Sequence, residues 1–211
     1  PERSVLFRGV IQVPNELRRQ LLALMEIGRE IAVGYGRSRG FGLLQVESIT
    51  TPARPRLALR ERWQQMNQAA RQLWASTGEA PAGEYFSLTL QSHLLLRDEA
   101  GQPVLSNLQP AHLGLPAWVE KRRAILHPAV ITGWNTAGNR PKPDRTAIAR
   151  GSVLLMRVPP GQESAVVIER LEAIEQDGAG EFCQEGFGRI SACDPFHFYF
   201  LAREEQPAAG G

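Results

Sequence analysis

The sequence predicts an α+β protein of two tandem ferredoxin-like domains, the first incomplete, each carrying a glycine-rich loop. Three observations lead there. A strand-like run ending in Val-Pro precedes an amphipathic helix twice, at Val13-Pro14 and at Val158-Pro159. Each helix is followed by glycines that close on Gly-Phe-Gly, GYGRSRGFG over 34–42 and GAGEFCQEGFG over 178–188. Each glycine cluster then runs into a short apolar strand. Recurrence of one supersecondary unit marks a repeated fold, and β-α-β units with helices on one face of an antiparallel sheet belong to the α+β class. The first repeat lacks its opening β-α half, as in a truncated or split chain.

In chain order, Val5–Val13 (VLFRGVIQV) is rich in apolar and β-branched residues, which predicts a strand. Pro14 stops it, and Asn15 suits an N-cap. Leu17, Leu21 and Leu24 recur at helical spacing, giving a helix over Glu16–Ile27 with Gly28 as its stop. Glu30–Val33 and Phe41–Ile49 read as strands on either side of the first glycine loop. Residues 51–60 (TPARPRLALR) read as a linker. Arg60–Trp74 reads as a helix with Trp63, Met66, Ala70 and Trp74 near one face. STGEAPAG, 76–83, marks a boundary. The resulting division is a half-domain over 1–50, a linker with helix over 51–83, a second domain with an insertion over 84–200, and a tail over 201–211.

Within the second domain, Tyr85–Arg97 alternates like a strand. Residues 103–128 carry weak periodicity and several prolines and read as an irregular insertion. Val130–Trp134 is apolar, and NTAGNRPKPDRT after it reads as a long basic loop of the kind that carries function. Ala147–Val158 is expected as a strand. The helix over 163–176 points Val167, Leu171 and Ile174 inward and Glu163, Glu169, Glu172 and Glu175 outward. Arg189–Cys193 closes the sheet.

At 211 residues the chain can bury a sizeable core, and no apolar run reaches bilayer length. Cys183 and Cys193 are too few for a disulfide framework or a zinc site, which fits a reducing cytoplasm with no metal and no cofactor. Charge is segregated. Between 121 and 150, Lys121, Arg122, Arg123, Arg140, Lys142, Arg145 and Arg150 face Asp144 alone. Lys occurs only at 121 and 142, so the other 22 of the 24 cations are Arg, whose planar fork suits phosphate. Clustered cations point to a polyanionic partner.

The glycine loops are not nucleotide-binding fingerprints. The first exits into a strand rather than a helix, and no Walker sequence is present. Arg39-Gly40-Phe41-Gly42 matches the start of an RNA-recognition RNP1 run, but its later aromatic positions fall on Leu43 and Val46, so the usual stacking platform is missing. Two readings of the loops compete: shaping tight turns, or offering bare backbone N–H groups with Gly36, Arg37, Ser38, Arg39, Gly40, Phe41 and Gly42 to phosphates. The basic segment offers Trp134, Asn135, Arg140, Lys142, Arg145 and Arg150. An aromatic among cations suits single-stranded nucleic acid, against a reading in which Trp134 is core and the cations are merely solvated. His93, His112, His127 and His197 form no recognisable triad or metal set. His197, in Cys193-Asp194-Pro195-Phe196-His197 behind the second loop, is the first choice if a histidine takes part in function.

Gly186-Phe187-Gly188-Arg189 after a Glu-flanked helix, followed by Cys-Asp-Pro-Phe-His, resembles the C-terminal signature of the CRISPR-associated RAMP superfamily. Ser87-Leu88-Thr89-Leu90, Gly133-Trp134-Asn135, Pro141-Lys142-Pro143 and Arg150-Gly151-Ser152 narrow the resemblance to the large RAMP subunit of type III-D effectors, within the group that caps the 5′ tag. It covers residues 5–200. The resemblance implies RRM-like RAMP domains and a non-catalytic RNA-binding subunit that holds the repeat-derived 5′ tag of the guide RNA. The implied partners are the large signature subunit and the backbone RAMP subunits, with target RNA engaged only indirectly and no membrane. It also implies RNA or subunit contact for residues 36–42 and for Gly186, Phe187, Gly188 and Arg189. The alternative is a metal-independent endoribonuclease that processes CRISPR repeat RNA, as some RAMP relatives are.

Overall fold

The computed structural model describes residues 5–7, 9, 11, 13–32, 42–50, 57–75, 82–135 and 138–197. The chain divides into two compact units, Pro1–Arg56 and Leu57–Gly211. No helix of the described residues is long and apolar enough to cross a membrane.

In the first unit, helix α1 spans Asn15–Leu24, and strands β1 (Glu30–Ala32) and β2 (Leu43–Gln45) form an antiparallel pair in which Ile31 faces Leu44. Pro14, not Asn15, is the N-cap; Asn15 is the first helical residue and makes no capping bond. Gly28 takes φ +86°, and its N–H donates to Val46 O at 2.7 Å, which swings the chain from helix to hairpin. The expected strand over Val5–Val13 is absent from its described residues. A strand needs a ladder partner, and among the described residues β1 pairs with β2 alone. Val5, Leu6 and Phe7 are exposed there.

The second unit holds α2 (Leu59–Ala75), β3 (Glu84–Leu90), β4 (Glu120–Ile125), β5 (Pro128–Asn135), β6 (Arg140–Ile148), β7 (Val153–Val158), α3 (Ser164–Asp177) and β8 (Ile190–Ala192). Its main sheet runs β4-β7-β3-β8 with every neighbour antiparallel. β7 and β8 are therefore parallel to each other, joined through α3 and split by β3, the arrangement of a split β-α-β unit; β3 and β4 are likewise parallel and split by β7. The crossover between them, residues 91–119, contains a 3-10 turn at Pro110–Leu113 and no α-helix. β4 lies inside the stretch expected as an irregular insertion. Its sequence, EKRRAI, hides it: as an edge strand bulged between Lys121 and Arg123 it has no clean alternation.

Phe86, Leu88 and Leu90 of β3 and Leu154 and Met156 of β7 point to one face and are buried with Trp63 and Met66 of α2 and Val167, Leu171 and Ile174 of α3. α3 has the inward face its periodicity predicts. Gly178 ends it, with φ +86° and its N–H on Ile174 O. Glu175 departs from expectation. Instead of facing water, it turns to Arg62 of α2, whose side chain is 2% exposed. The fork is bidentate: Nη1 donates to Oε1 at 3.0 Å and Nη2 to Oε2 at 2.6 Å. Arg62 also donates to the carbonyls of Leu57 and Ala192, and Glu175 Oε1 accepts from the Ala192 N–H. One ion pair thus ties α2, α3 and β8 together.

α2, expected inside a linker, packs on β3: the Trp63 ring stacks on Phe86 with centroids 5.0 Å apart. β8 is too short to pair with all of β3. Beyond it, buried Asn67 takes the strand's place, its Oδ1 accepting from Tyr85 N–H at 2.7 Å and its Nδ2 donating to Tyr85 O at 2.9 Å.

Candidate nucleic-acid interface

The segment expected as a long basic loop is a hairpin. β5 and β6 pair from Pro128↔Ile148 to Asn135↔Arg140, with a bulge that sets Pro143 and Asp144 against Thr132. Proline is tolerated here because the ribbon is two-stranded, bridged to the rest of the unit at Ile148 rather than along the proline stretch, and has an irregularity to absorb the missing N–H. Alternation gives the ribbon two faces. Val130, Thr132 and Trp134 are exposed, Trp134 by 47%. Lys142 and Arg145 face the second glycine loop. Lys142 Nζ lies 3.6 Å and Arg145 Nη1 3.7 Å from Glu185 Oε2, and the Arg145 guanidinium sits 3.6 Å over the Phe182 ring. Sequence reasoning marked these two segments separately; the structure sets them side by side.

In the glycine loop itself, the turn-shaping reading explains most of the glycines. All four have positive φ. A Cβ on Gly180 would lie 2.1 Å from Leu95 O, and one on Gly188 would lie 1.9 Å from Ala179 O. Gly186 alone of the four meets nothing within 4 Å. Nor are the loop's amides bare. Ala179 N–H donates to Gly188 O, Glu181 N–H to Leu95 O, Gly188 N–H to His93 O and Arg189 N–H to Ser92 Oγ. These donors are spent within the fold, so what the loop offers an anion is side-chain charge, chiefly the exposed Arg189. Phe187 is half-buried and Gly188 buried.

At the hairpin tip, Asn135 Oδ1 accepts from Gly138 N–H at 3.1 Å, and Arg140 is exposed. The expected strand over Ala147–Val158 is broken at Ala149–Ser152, where Gly151 takes φ +82° and Arg150 projects into solvent. Likewise β3 stops at Leu90, short of Arg97, with Leu94 making only an isolated bridge to Ile148.

His197 is half-buried and shares a 2.7 Å hydrogen bond between its Nε2 and Thr89 Oγ1. His93, one of the three histidines not preferred from the sequence, accepts from Arg150 N–H through its Nδ1 at 3.3 Å. Cys193 is buried, and burial pushes its thiol up to about 12, so it is no thiolate nucleophile at neutral pH. Among the described residues no group of three or more His, Cys, Asp or Glu is placed to hold a metal ion. Of the first loop only Gly42 is described, at φ +73°, leading into β2; Gly36, Arg37, Ser38, Arg39, Gly40 and Phe41 lie outside the described residues.

No family model and no curated protein matches the chain. Solved structures give partial likenesses of backbone course. A Cas6 substrate-mimic complex matches at TM-score 0.48 and 15% identity, over 83% of this chain and 73% of that one. A Cas6 product complex matches at TM-score 0.49 and 14% identity, over 83% and 72%. A partial Cas6-RT-Cas1–Cas2 complex matches at TM-score 0.35 and 13% identity, over 70% of this chain and 28% of that one.

Proposed function

We propose that the chain is a non-catalytic RNA-binding subunit of a type III CRISPR interference complex, built on tandem ferredoxin-like domains. In this reading it holds the repeat-derived 5′ tag of the guide RNA and contacts the large signature subunit and backbone RAMP subunits. The RAMP resemblance of the glycine-loop, Gly133-Trp134-Asn135 and Arg150-Gly151-Ser152 stretches supplies the biological setting. One structural observation supports the binding mode: the basic hairpin leans on the second glycine loop through Glu185 and Phe182, so that Lys142 and Arg145 brace the ribbon. The bracing leaves Trp134 and Arg140 exposed to a strand of RNA.

A base stacked on Trp134 contributes about 1–3 kcal/mol, so Trp134→Ala with Arg140→Ala is expected to weaken binding of single-stranded repeat RNA by roughly tenfold or more. The assay is fluorescence anisotropy at several salt concentrations, with the same RNA incubated in EDTA as a cleavage control. Unchanged affinity in the double variant would sink the hairpin assignment. Cleavage in EDTA would replace the non-catalytic reading with the endoribonuclease.

A further inference from the structure

Most cations around the glycine loop already have anionic partners. Glu185 takes Lys142 and Arg145, Glu181 takes Arg97, and Glu120 takes Arg122 and Arg157. Arg150 and Arg189 are exposed and have no carboxylate partner among the described residues. The backbone brings both to the place where β3 runs out. Arg150 N–H donates to His93 Nδ1 at 3.3 Å. Arg189 O accepts from the N–H groups of Gln91 and Ser92, and Arg189 N–H donates to Ser92 Oγ at 2.9 Å. Gly188 N–H donates to His93 O at 2.8 Å.

The bond at Nδ1 fixes the imidazole. A ring nitrogen that accepts carries no proton, so in neutral His93 the proton sits on Nε2 and that N–H is a donor. The ring is half-buried, enough to be held and still reachable. An oriented N–H donor on a segment whose backbone is tied to those of two unneutralised arginines supplies the three groups that match the acceptor oxygens of one phosphodiester.

We propose that His93, Arg150 and Arg189 form a cradle for a single backbone phosphate of the bound strand. The proposal rests on the RNA-binding reading above and adds a defined contact to it. Distributed charge would weaken binding evenly along the RNA, whereas a cradle acts on one linkage.

The experiment uses the full chain and single-stranded repeat RNAs, each with one methylphosphonate linkage that removes one charge. With the unaltered chain, one linkage should stand out with a loss of about tenfold, the scale of a hydrogen bond to a charged group. Arg150→Gln with Arg189→Gln should weaken the unmodified RNA by a similar factor and abolish the special sensitivity of that linkage. The double variant should also flatten the salt dependence by about 0.7 in log–log slope, one phosphate on a single strand. His93→Asn keeps an acceptor near the Nδ1 position and removes the Nε2 donor, so it should reproduce the loss without lowering the melting temperature.

Uniform weakening with no linkage singled out would overturn the cradle. So would an Arg150→Gln, Arg189→Gln variant that keeps both its affinity and its sensitivity to that linkage. If the unaltered chain binds no RNA, the function reading falls with it. If it binds and only the Trp134 variant is impaired, the cradle alone falls.

Discussion

Removing the Glu175 carboxylate tests whether one buried ion pair holds three elements of the second unit together. Glu175→Ala leaves the Arg62 guanidinium, 2% exposed, with only the Leu57 and Ala192 carbonyls, and orphans the Ala192 N–H in the same step. Breaking a buried pair from one side destabilises by about 3–5 kcal/mol, because the remaining charge stays out of water uncompensated. Against a whole-domain stability of roughly 5–15 kcal/mol that is a large share. With a urea m-value near 2 kcal/mol/M, the denaturation midpoint should fall by about 2 M. The transition can be followed by tryptophan fluorescence, since Trp63 stacks on Phe86 beside the pair. Arg62→Met combined with Glu175→Met removes both charges and should recover most of the loss. A Glu175→Ala cost below about 1 kcal/mol, the range of exposed pairs, would refute the reasoning, as would a double variant no more stable than either single one.

Three further outcomes follow from the geometry. Gly188→Ala should destabilise the unit by about 3 kcal/mol or more, since its Cβ would strike Ala179 O at 1.9 Å, whereas Gly186→Ala should lose only the strain of its positive φ, roughly 1–2 kcal/mol; paired thermal melts check the contrast. Asn67→Ala removes both bonds to Tyr85 and should cost about 2–3 kcal/mol and speed amide exchange at Tyr85, with Asn67→Asp, which sets a buried carboxylate oxygen against the Trp63 and Tyr85 carbonyls, costing at least as much. Iodoacetamide at mildly alkaline pH should label Cys183 well before Cys193 in the folded chain, as read by mass spectrometry. Because the Cys193 thiol is raised when folded, its contribution is complete below the unfolded value of about 8.5 and is lost as pH climbs toward about 12, so urea midpoints should decline across that window.

Local pattern made α3 and the helix of α2 legible, because Val167, Leu171 and Ile174, or Trp63 and Met66, recur at the helical period. The glycine-to-strand exit at 188–190 was legible for the same kind of reason. β4 and β6 were not. EKRRAI is an edge strand whose charged residues face water, and RPKPDRTAI carries two prolines that argue against a strand until a bulged, two-stranded ribbon is known. Arg62 and Glu175 each read as ordinary solvated residues on their own helices; 113 positions separate them, and only packing shows that they are partners. The candidate interface divides in the same way. Clustered charge around an aromatic identified Trp134, Arg140 and Arg150, and the family resemblance pointed to Arg189. Which cations are already neutralised depends on Glu185, whose approach to β6 no local window contains. His93 left no signal, since its role comes from a backbone amide 57 residues away.

Asn67 has a consequence for how copies of this chain behave in concentrated solution. Where β8 gives out, the flank of β3 would otherwise present an unused peptide group to any passing extended chain. A single amide side chain occupies that berth, and the tryptophans of α2 close over it on both sides, Trp63 on Phe86 and Trp74 on Tyr85. The helix thereby works as a bung against sheet-to-sheet growth at this stretch of β3.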